Sequence, residues 1–410
     1  MTGFEPAALR AAAEAALPGL LPLRRELHRH PEIGLELPET QARIAAELRA
    51  LGLEPRFGKG LSSVVAVIEP RGGSGSGARG TRAATILRAD MDALPLQEAT
   101  GLEFASERPG AMHACGHDTH MTMLLLAARL LVERRIALPG PVILMFQPGE
   151  EGFAGAKLML DEGLLEGLDS ATTRAFALHI WSSLPSGEIH LRAGAQMASA
   201  DSYRIILTGR GGHASKPHLA ADPIPAAAEI VTGLQVALNR EVDIFDPAVL
   251  TITQVHAGTT HNIIPERAFL EGTLRTLSDV RRDATLALIE RVASSIAARH
   301  RLGVEFELDI AYPPTINDPG VVEVVANLAS GLIGPDRVVS MAAPNMAGED
   351  WSYVLLQVPG AMAFLGARPA GADPATVPDN HSNRVVFDEP AMAVGGALYA
   401  AFALSGGRAP

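Results

Sequence analysis

The chain has 410 residues, of which 47% are hydrophobic, so it is long enough to form two or three domains with packed cores. Its 34 basic and 46 acidic residues give a net charge of −12 with neutral histidines, which argues against nucleic acid and anionic membranes as partners, because phosphate contacts need clustered lysine and arginine. No apolar run approaches the roughly 20 residues that span a bilayer. We therefore expect a small-molecule substrate.

The N-terminus and the cysteine content predict a soluble, cytoplasmic protein. Glu5 lies where a signal peptide needs basic charge. Cys115 is the only cysteine, so no disulfide can form within the chain. A reducing compartment is compatible with a free thiolate at this position.

The first half of the chain predicts alternating helices and strands. Helical patterning covers residues 7–52, with a break near Pro31. The elements predicted after it are a strand over residues 61–69, a strand over Thr81–Arg88, a helix over Asp118–Arg135 and a strand over Val142–Gln147. This alternation is typical of an α/β domain with a mostly parallel sheet.

A glycine- and serine-rich tip, residues 71–80, joins two of these strands. Its segment 75–80 has the sequence Gly-Ser-Gly-Ala-Arg-Gly, which formally matches the dinucleotide-binding fingerprint. The segment that follows is predicted to be a strand, whereas the fingerprint must begin a helix. Nucleotide binding is therefore not expected here.

The pattern changes after about residue 196. Four strands and two helices are predicted there, the strands at Ser202–Gly209, Ala248–His256, Arg267–Leu277 and Val304–Ile310, and the helices at Asp222–Leu238 and Asp279–His300. Their order favours an α+β module with antiparallel strands. The earlier pattern then resumes with a helix over Pro319–Leu332, a strand over Ala361–Gly366 and a last helix. We predict a discontinuous α/β domain (1–195 and 313–410) with a module inserted at 196–312.

Potential metal ligands follow three short apolar runs, Ala84–Leu87, Pro141–Phe146 and Ala175–Leu178. Open α/β sheets bind their ligands outside the carboxyl ends of their strands, so groups placed there can converge on one spot. The predicted metal ligands are Cys115, His117, Glu151, His179 and, near the C-terminus, His381.

The segment 112–120 packs three histidines, a thiol and a carboxylate into nine positions before a predicted helix. Cys115 and His117 lie two residues apart, so in extended backbone they share a face and can reach one ion. Thiolate and neutral imidazole suit zinc and similar ions. His113 and His120, taken singly, favour a cap or a polar surface position.

Paired acids follow two of the buried strands. Glu150 and Glu151 lie between two glycines, and adjacent side chains in extended backbone point apart, so one carboxylate can bind metal while the other transfers a proton. A solvated acidic turn is the alternative, and the position after a core strand weighs against it. Asp92 can orient a ligand histidine, while Asp90 remains open as a further ligand.

Seven motifs, spread over nearly the whole chain, resemble those of dinuclear-metal amidohydrolases. This family includes hippurate hydrolase, N-acyl-amino-acid amidohydrolases, plant indole-acetyl-amino-acid hydrolases and, more distantly, aminoacylase and glutamate-releasing carboxypeptidases. The motifs are Leu27–Glu32, Arg88–Pro95, the Cys115/His117 segment, Gln147–Glu151, Gly211–Ala214, His261–Pro265 and Gly348–Asp350.

The resemblance implies two divalent metal ions. Cys115 would bridge them, with His117 and His179 on one ion, Glu151 and His381 on the other, and Glu150 as general acid and base. The distant zinc peptidases have a histidine ligand at the position of Asp90 and a bridging aspartate at that of Cys115. This sequence has other residues, Asp90 and Cys115, at the two positions, as the hippurate-hydrolase branch does. The identity of the metal, zinc, manganese, cobalt or nickel, is therefore not determined by the resemblance.

The inserted module resembles the lid and dimerisation domain of that family, so a homodimer or a higher homo-oligomer is expected. His213 would polarise the scissile carbonyl, within the chain or across a dimer interface, and Asn262 and Arg275 would hold the substrate. A guanidinium matches a carboxylate with two parallel hydrogen bonds, although a surface salt bridge explains Arg275 equally well. Asn262 is also suited to capping a turn.

The expected activity is hydrolysis of N-acyl amino acids, such as hippurate-like, acetyl or indole-acetyl conjugates, to a carboxylic acid and a free amino acid. A metal-dependent dipeptidase or carboxypeptidase on the same scaffold is the first alternative. A cysteine hydrolase, with Cys115 activated by His117, is another. The last alternative is a non-catalytic protein with a structural zinc. Structural zinc sites are closed by four ligands, so the additional carboxylates here argue against it.

Overall fold

The computed structural model describes residues 4–71 and 83–407. The α-helices of this part are α1 (Pro6–Ala16), α2 (Leu21–Arg29), α3 (Pro38–Ala50), α4 (His117–Glu133), α5 (Gly155–Asp161), α6 (Pro223–Glu241), α7 (Asp279–Arg299), α8 (Pro319–Ile333), α9 (Ser352–Leu355) and α10 (Ala391–Ser405). Short 3₁₀ helices lie at Leu17–Gly19, Arg135–Ala137, Pro217–Leu219 and Pro335–Arg337.

The strands are numbered in chain order. They are β1 (Arg56–Phe57), β2 (Val64–Ile68), β3 (Thr85–Asp90), β4 (Val142–Gln147), β5 (Arg174–Trp181), β6 (Ile189–Leu191), β7 (Gly194–Met197), β8 (Ala200–Thr208), β9 (Gly212–His213), β10 (Ala248–Ala257), β11 (Ile263–Ile264), β12 (Arg267–Thr276), β13 (Gly303–Tyr312), β14 (Thr315–Asn317), β15 (Val338–Ser340) and β16 (Gly360–Gly366).

Every element predicted from apolar periodicity is present, with ends shifted by a few residues. Side-chain caps begin three of the long helices: Asp222 accepts a hydrogen bond from Ile224 N, Ser278 from Arg281 N and Asp318 from Val321 N. The short strands β1, β6, β9, β11 and β15 were not predicted. Two or three residues are too few to show a period.

The chain divides into two compact units. The first comprises Met1–Gln196, Ile316–Ala343 and Asp350–Pro410, and the second comprises Met197–Thr315 and Pro344–Glu349. In contrast to the predicted division, residues 313–315 and 344–349 group with the second unit. The predicted domains, 1–195 with 313–410 and 196–312, stay a prediction. The predicted roles of the two units, metal binding for one and lid and dimerisation for the other, stay predictions.

The first unit contains an eight-stranded sheet in the order β1-β2-β4-β3-β5-β16-β6-β15. Its central strands β4, β3, β5 and β16 are parallel, whereas β2 pairs antiparallel with β4, and β6 antiparallel with β16. Strands β3, β4 and β16 are buried along their whole length. The mostly parallel sheet is therefore confirmed, and its central carboxyl ends meet at one edge.

The second unit contains a four-stranded antiparallel sheet in the order β10-β12-β8-β13. Helices α6 and α7 pack on one face, where Leu270, Leu274 and Ile230 join a separate apolar core. The alternating residues of β12, from Arg267 to Arg275, lie on the other face and are exposed or half-buried. Four strands and two helices in this arrangement confirm the predicted α+β module.

Nucleotide binding and membrane crossing were not expected from the sequence. The fingerprint-like segment 75–80 lies outside the described residues, and the first element after it is strand β3, not a helix. Among the described residues, no helix combines the length and the apolar character needed to cross a bilayer.

Candidate metal centre

Cys115 and His117 lie in the turn that leads into α4. Gly116 between them has φ +87°, a left-handed conformation that side chains disfavour, and a Cβ atom there would lie 2.4 Å from Ile180 Cγ2. Only glycine fits this position without displacing β5. The turn therefore brings the thiol and the imidazole against the end of β5, where His179 lies.

Glu150 and Glu151 follow β4 on a turn that the carboxylate of Asp92 holds in place. Asp92 Oδ1 accepts a hydrogen bond from Glu150 N at 2.9 Å, and Oδ2 accepts one from Glu151 N at 3.0 Å. His117 Nδ1 donates to the backbone oxygen of Asp92 at 2.8 Å, whereas the Asp92 carboxylate is 3.6 Å away. Asp92 thus orients the predicted histidine through its main chain and the glutamates through its side chain.

The two remaining histidines are also held through their backbone surroundings. His179 Nδ1 donates to the carbonyl of Ile180 at 2.8 Å, which leaves Nε2 as the nitrogen with a lone pair. His381 has φ +67°, and its amide donates to Ala114 O at 2.9 Å. Asn380 next to it donates to Cys115 O and Ile180 O and accepts from Ser182 N.

All five predicted ligands come together in the first unit. Cys115 Sγ lies 3.3 Å from His179 Nε2 and 3.2 Å from His381 Nε2. Glu151 Oε1 lies 3.3 Å from His381 Nε2 and 4.0 Å from His117 Nε2. The donor atoms form two triads, each within 4.8 Å, namely Cys115 with His117 and His179, and Cys115 with Glu151 and His381. Cys115 belongs to both triads.

The donor set fits metal ions. His117 Nε2 and Glu151 Oε1 are buried without a well-formed hydrogen bond, although Asp90 Oδ2 lies 3.5 Å from the first and His381 Nε2 lies 3.3 Å from the second. Burying such atoms without a hydrogen bond costs about 1–3 kcal/mol each. A thiolate, imidazole nitrogens and a carboxylate are the ligands that zinc and neighbouring divalent ions take. A cation between these atoms would satisfy the groups that the protein leaves unpaired.

The electrostatics of the site also favour a cation. Burial lowers the pKa of His117, but the negative charges of Asp90, Asp92 and Glu151 outweigh it and raise that pKa to about 10. Burial and the charges of Glu151 and Glu150 raise the pKa of the Cys115 thiol. The site therefore has more negative than positive charge unless a proton or a metal ion compensates it.

Asp90, which the sequence left open as a ligand, is committed to other partners. Its Oδ2 accepts from Arg88 Nη1 at 2.6 Å, and its Oδ1 accepts from His120 Nδ1 at 2.5 Å. All three side chains are fully buried. Asp90 Oδ2 is 3.5 Å from His117 Nε2, so it lies beside a predicted ligand while it pairs with Arg88.

The surface position favoured for His113 and His120 is wrong, because both side chains are buried. Helix α4 is buried on nearly all sides, so even the polar residues of its first turn are covered. The sequence did not show that His120 and Asn380 support the ligands. Asn380 precedes His381 directly, which is the only local signal for it.

The second unit carries His213, which was predicted to polarise the scissile carbonyl, and the two predicted substrate-binding residues, Asn262 and Arg275. Strands β9 and β11 pair His213 with Ile263, next to Asn262, and both His213 and Asn262 are exposed. Ser215 donates to His213 Nδ1 from its amide at 3.1 Å, so a neutral imidazole carries its proton on Nε2 as an available donor. Arg275 lies on the face of β12 that the helices leave open, and it donates to the Leu274 carbonyl at 3.1 Å.

Comparison with known proteins identifies the family. Residues 86–405 match the model of peptidase family M20/M25/M40. The chain belongs to this family. It is 37% identical to a thermostable carboxypeptidase of Saccharolobus solfataricus over 94% of each chain, and 35% identical to an IAA-amino acid hydrolase of Arabidopsis thaliana over 94% of this chain and 84% of that protein.

A solved M20 structure has the same fold. The dinuclear metal binding peptidase of Bacillus subtilis is 33% identical to this chain and superposes with a TM-score of 0.79 over 95% of this chain and 98% of its own. The resemblance noted from the seven motifs is therefore confirmed at the level of the family.

Proposed function

We propose that this M20 family member is a metal-dependent amidohydrolase that cleaves the amide bond of N-acyl amino acids, releasing a carboxylic acid and a free amino acid. The observation that carries the proposal is the pair of ligand triads sharing Cys115, with the buried carboxylate of Glu150 beside them. The names of the relatives, a hydrolase of IAA-amino acids and a carboxypeptidase, support amide hydrolysis next to a substrate carboxylate.

Two divalent ions fit the ligand triads, with zinc, manganese, cobalt and nickel as candidates. Cys115 would bridge them, His117 and His179 would hold one ion, and Glu151 and His381 would hold the other. When bound, such ions activate water and polarise the amide carbonyl as Lewis acids. The described dinuclear peptidase of Bacillus subtilis supports this stoichiometry.

Glu150 is proposed to transfer the proton. Its carboxylate lies within 4.8 Å of donor atoms of His117 and Glu151, and its side chain is buried. The hydrogen bond from Glu150 N to Asp92 fixes the backbone that carries it. From this position the carboxylate takes the proton of the attacking water and returns it to the leaving nitrogen, as a general base and then a general acid.

Residues of the second unit are proposed to bind the substrate. His213, with its proton on Nε2, would stabilise the negative charge that develops on the carbonyl oxygen. Asn262 would hold the amide, and the planar guanidinium of Arg275 would pair with the substrate carboxylate. Whether His213 acts in its own chain or in a partner copy is part of the proposal to be tested.

The decisive experiment is a substrate panel under metal control. Hippurate, N-acetyl amino acids, indole-acetyl amino acids and dipeptides are incubated with protein that has been stripped by a chelator, and again after adding back each of the four metals. We expect hydrolysis of N-acyl amino acids only after metal addition. Full activity in stripped protein that elemental analysis shows to be metal-free would contradict the proposal.

Two alternatives are decided by the same panel. A metal-dependent dipeptidase or carboxypeptidase, supported by the name of the 37% identical relative, would prefer dipeptides over N-acyl amino acids. A cysteine hydrolase that uses Cys115 would survive the chelator. Burial and nearby carboxylates raise the pKa of that thiol, whereas nucleophilic cysteines have lowered pKa values.

A homodimer in the cytoplasm is also proposed. Strand β10 lies at the edge of the four-stranded sheet, and Val249 and Val255 on it are exposed, which suits pairing with a second chain. The sole cysteine is a free thiol, compatible with a reducing compartment. Sedimentation at several concentrations tests the dimer.

A further inference from the structure

The pairing of β3 with β5 stops before either strand ends. Their parallel register runs from Thr85↔Arg174 to Arg88↔Ala177, although β3 continues to Asp90 and β5 to Trp181. The series of backbone hydrogen bonds begins with Arg174 N donating to Ala84 O at 3.0 Å. Because parallel bonds recur every second residue, the later members would be Leu178 N to Arg88 O and Ile180 N to Asp90 O.

A tyrosine hydroxyl occupies the first of these two positions. Leu178 N donates to Tyr399 Oη at 2.8 Å, and Tyr399 Oη donates to Arg88 O at 2.7 Å. The hydroxyl thus links Leu178 N to Arg88 O through two hydrogen bonds, in place of the direct backbone hydrogen bond. Tyr399 belongs to α10, is fully buried, and packs its ring on Phe176 at a centroid distance of 5.5 Å.

A histidine ring occupies the second position. Ile180 N donates to His120 Nε2 at 2.8 Å, and His120 Nδ1 donates to Asp90 Oδ1 at 2.5 Å. Both ring nitrogens are therefore engaged, which makes His120 a spacer and not a metal ligand. The Tyr399 hydroxyl joins backbone atoms of the two strands, whereas the imidazole joins the Ile180 backbone to the Asp90 side chain. Side chains thus replace direct pairing between β3 and β5 toward their carboxyl ends, which leaves a gap between the strands that these side chains fill.

The gap lies between two of the predicted ligands. The ring of His120 stacks on His117 with centroids 5.4 Å apart and meets His179 edge-on at 4.8 Å. The rings of His117 and His179 are 6.2 Å apart. His120 therefore packs against both imidazoles that are proposed to bind the same ion.

We propose that Tyr399 and His120 are positioning residues that hold β3 and β5 apart and thereby set the spacing of His117 and His179 around the metal. This inference rests on the proposed function, because the spacing of His117 and His179 matters only if they bind a metal ion. Neither residue contacts the substrate or moves a proton; each acts through the ligands that it places.

The test compares metal affinity in four variants of the full-length protein. Tyr399→Phe removes only the relaying hydroxyl. His120→Leu removes both bridging nitrogens, whereas His120→Gln restores an amide that can accept from Ile180 N and donate to Asp90. Phe402→Leu is the matched control, because Phe402 packs on the same Phe176 ring from the same helix without touching either strand's hydrogen bonds.

Zn²⁺ affinity is measured by chelator competition, and Co²⁺ absorption spectra report the ligand geometry. We expect Tyr399→Phe and His120→Leu to lose affinity by about 10- to 100-fold and to shift the cobalt bands, as changes behind metal ligands commonly do. His120→Gln should recover most of the affinity. Phe402→Leu should lower the melting temperature while affinity and spectrum stay at the wild-type values.

Each contrary outcome has one meaning. Wild-type affinity and spectra in Tyr399→Phe and His120→Leu would overturn this inference alone. Equal loss in His120→Gln and His120→Leu would also overturn it, because volume and not bridging would then be the cause. If Tyr399→Phe does not fold, the comparison of His120→Leu with His120→Gln tests the inference. Failure of the unsubstituted protein to bind stoichiometric metal would instead overturn the proposed function.

Discussion

The two units of the chain present their candidate functional residues in opposite ways. In the first unit, Cys115, His117 and Glu150 are buried and lie at or next to the ends of packed strands. In the second, His213 and Asn262 are exposed on a short strand pair and the turn beside it. The negative charge around the ligands of the first unit needs a proton or a metal ion to compensate it, whereas the exposed groups of the second unit are solvated by water and need neither.

This difference matches the proposed division between metal binding in the first unit and substrate binding in the second. Metal ligands must be held within a few tenths of an ångström, which buried strand ends and turns achieve. Substrate groups vary, and exposed residues on a small sheet can meet them without disturbing the ligands. Substitutions in the second unit should therefore change kinetics at constant metal content.

The largest effect at constant metal content is expected for Glu150→Gln. Removing the carboxylate that is proposed to transfer the proton should lower kcat by about 10²- to 10⁴-fold, the usual contribution of general acid–base catalysis. Metal content should not change, because Glu150 is outside both triads that share Cys115. Kinetics on an N-acyl amino acid and elemental analysis measure the two quantities. Near-normal kcat would contradict the proposed mechanism, and lost metal would assign Glu150 a ligand role instead.

A smaller effect is expected for His213→Ala in the second unit. Losing one donor to a developing oxyanion lowers kcat by about 10²- to 10³-fold. His218→Ala is the control, because His218 is an exposed histidine five residues away. Equal kinetics in the two variants would show that His213 is only a surface residue. Mixing His213→Ala with Glu150→Gln protein tests action across a dimer, since activity would return only if His213 comes from a partner copy.

The sequence predicted those features that depend on residues close to one another in the chain. Glu151 comes just after β4 and His179 lies near the end of β5, so the rule that sites form at carboxyl ends of parallel strands placed these two together. Cys115 precedes α4 and was predicted from the residue types of its own segment. Apolar periodicity likewise predicted the long elements of both sheets. Each of these signals is local, because it depends on residues within a few positions of one another.

The supporting contacts could not be predicted, because they join distant parts of the chain. Tyr399 bridges Arg88 and Leu178 across 311 and 221 positions, and nothing in its own helix marks it. The antiparallel insertion of β2 beside β4 has no local signature either. His120 is buried because other parts of the chain cover α4 on nearly all sides. Apolar periodicity shows which face of a helix is apolar, but not that its polar residues are covered as well.

Arg275→Met should have a moderate and selective effect. Hydrogen bonds to a charged partner contribute about 1.5–3 kcal/mol, so KM for a substrate with a free carboxylate should rise by about 10- to 100-fold. The matching substrate with a carboxamide should be affected far less. Arg267→Met is the control, because Arg267 lies on the same face of β12. Equal KM changes for both substrates would assign Arg275 to a surface role.

The last effect concerns the stability of the protein without metal. Asp90, Asp92 and Glu151 raise the pKa of His117 above its usual 6.5, to about 10, against the lowering effect of burial. A raised pKa in the folded state contributes stability that is complete below pH 6.5 and is lost as the pH rises through the folded value. The free energy of unfolding of chelated protein should therefore fall between pH 6.5 and 9, by at most about 1.4 kcal/mol per pH unit.

Metal-loaded protein should lack this slope, because a cation replaces the proton on His117 and compensates the same carboxylates. Urea unfolding of chelated and loaded protein at several pH values provides the comparison. Chelated His117→Gln is the control, since its side chain does not titrate and its slope should match that of the loaded protein. Identical slopes for chelated and loaded wild type would mean that the negative charge of the first unit is compensated without a metal. The contrast between a unit that needs a cation and one that does not would then be lost.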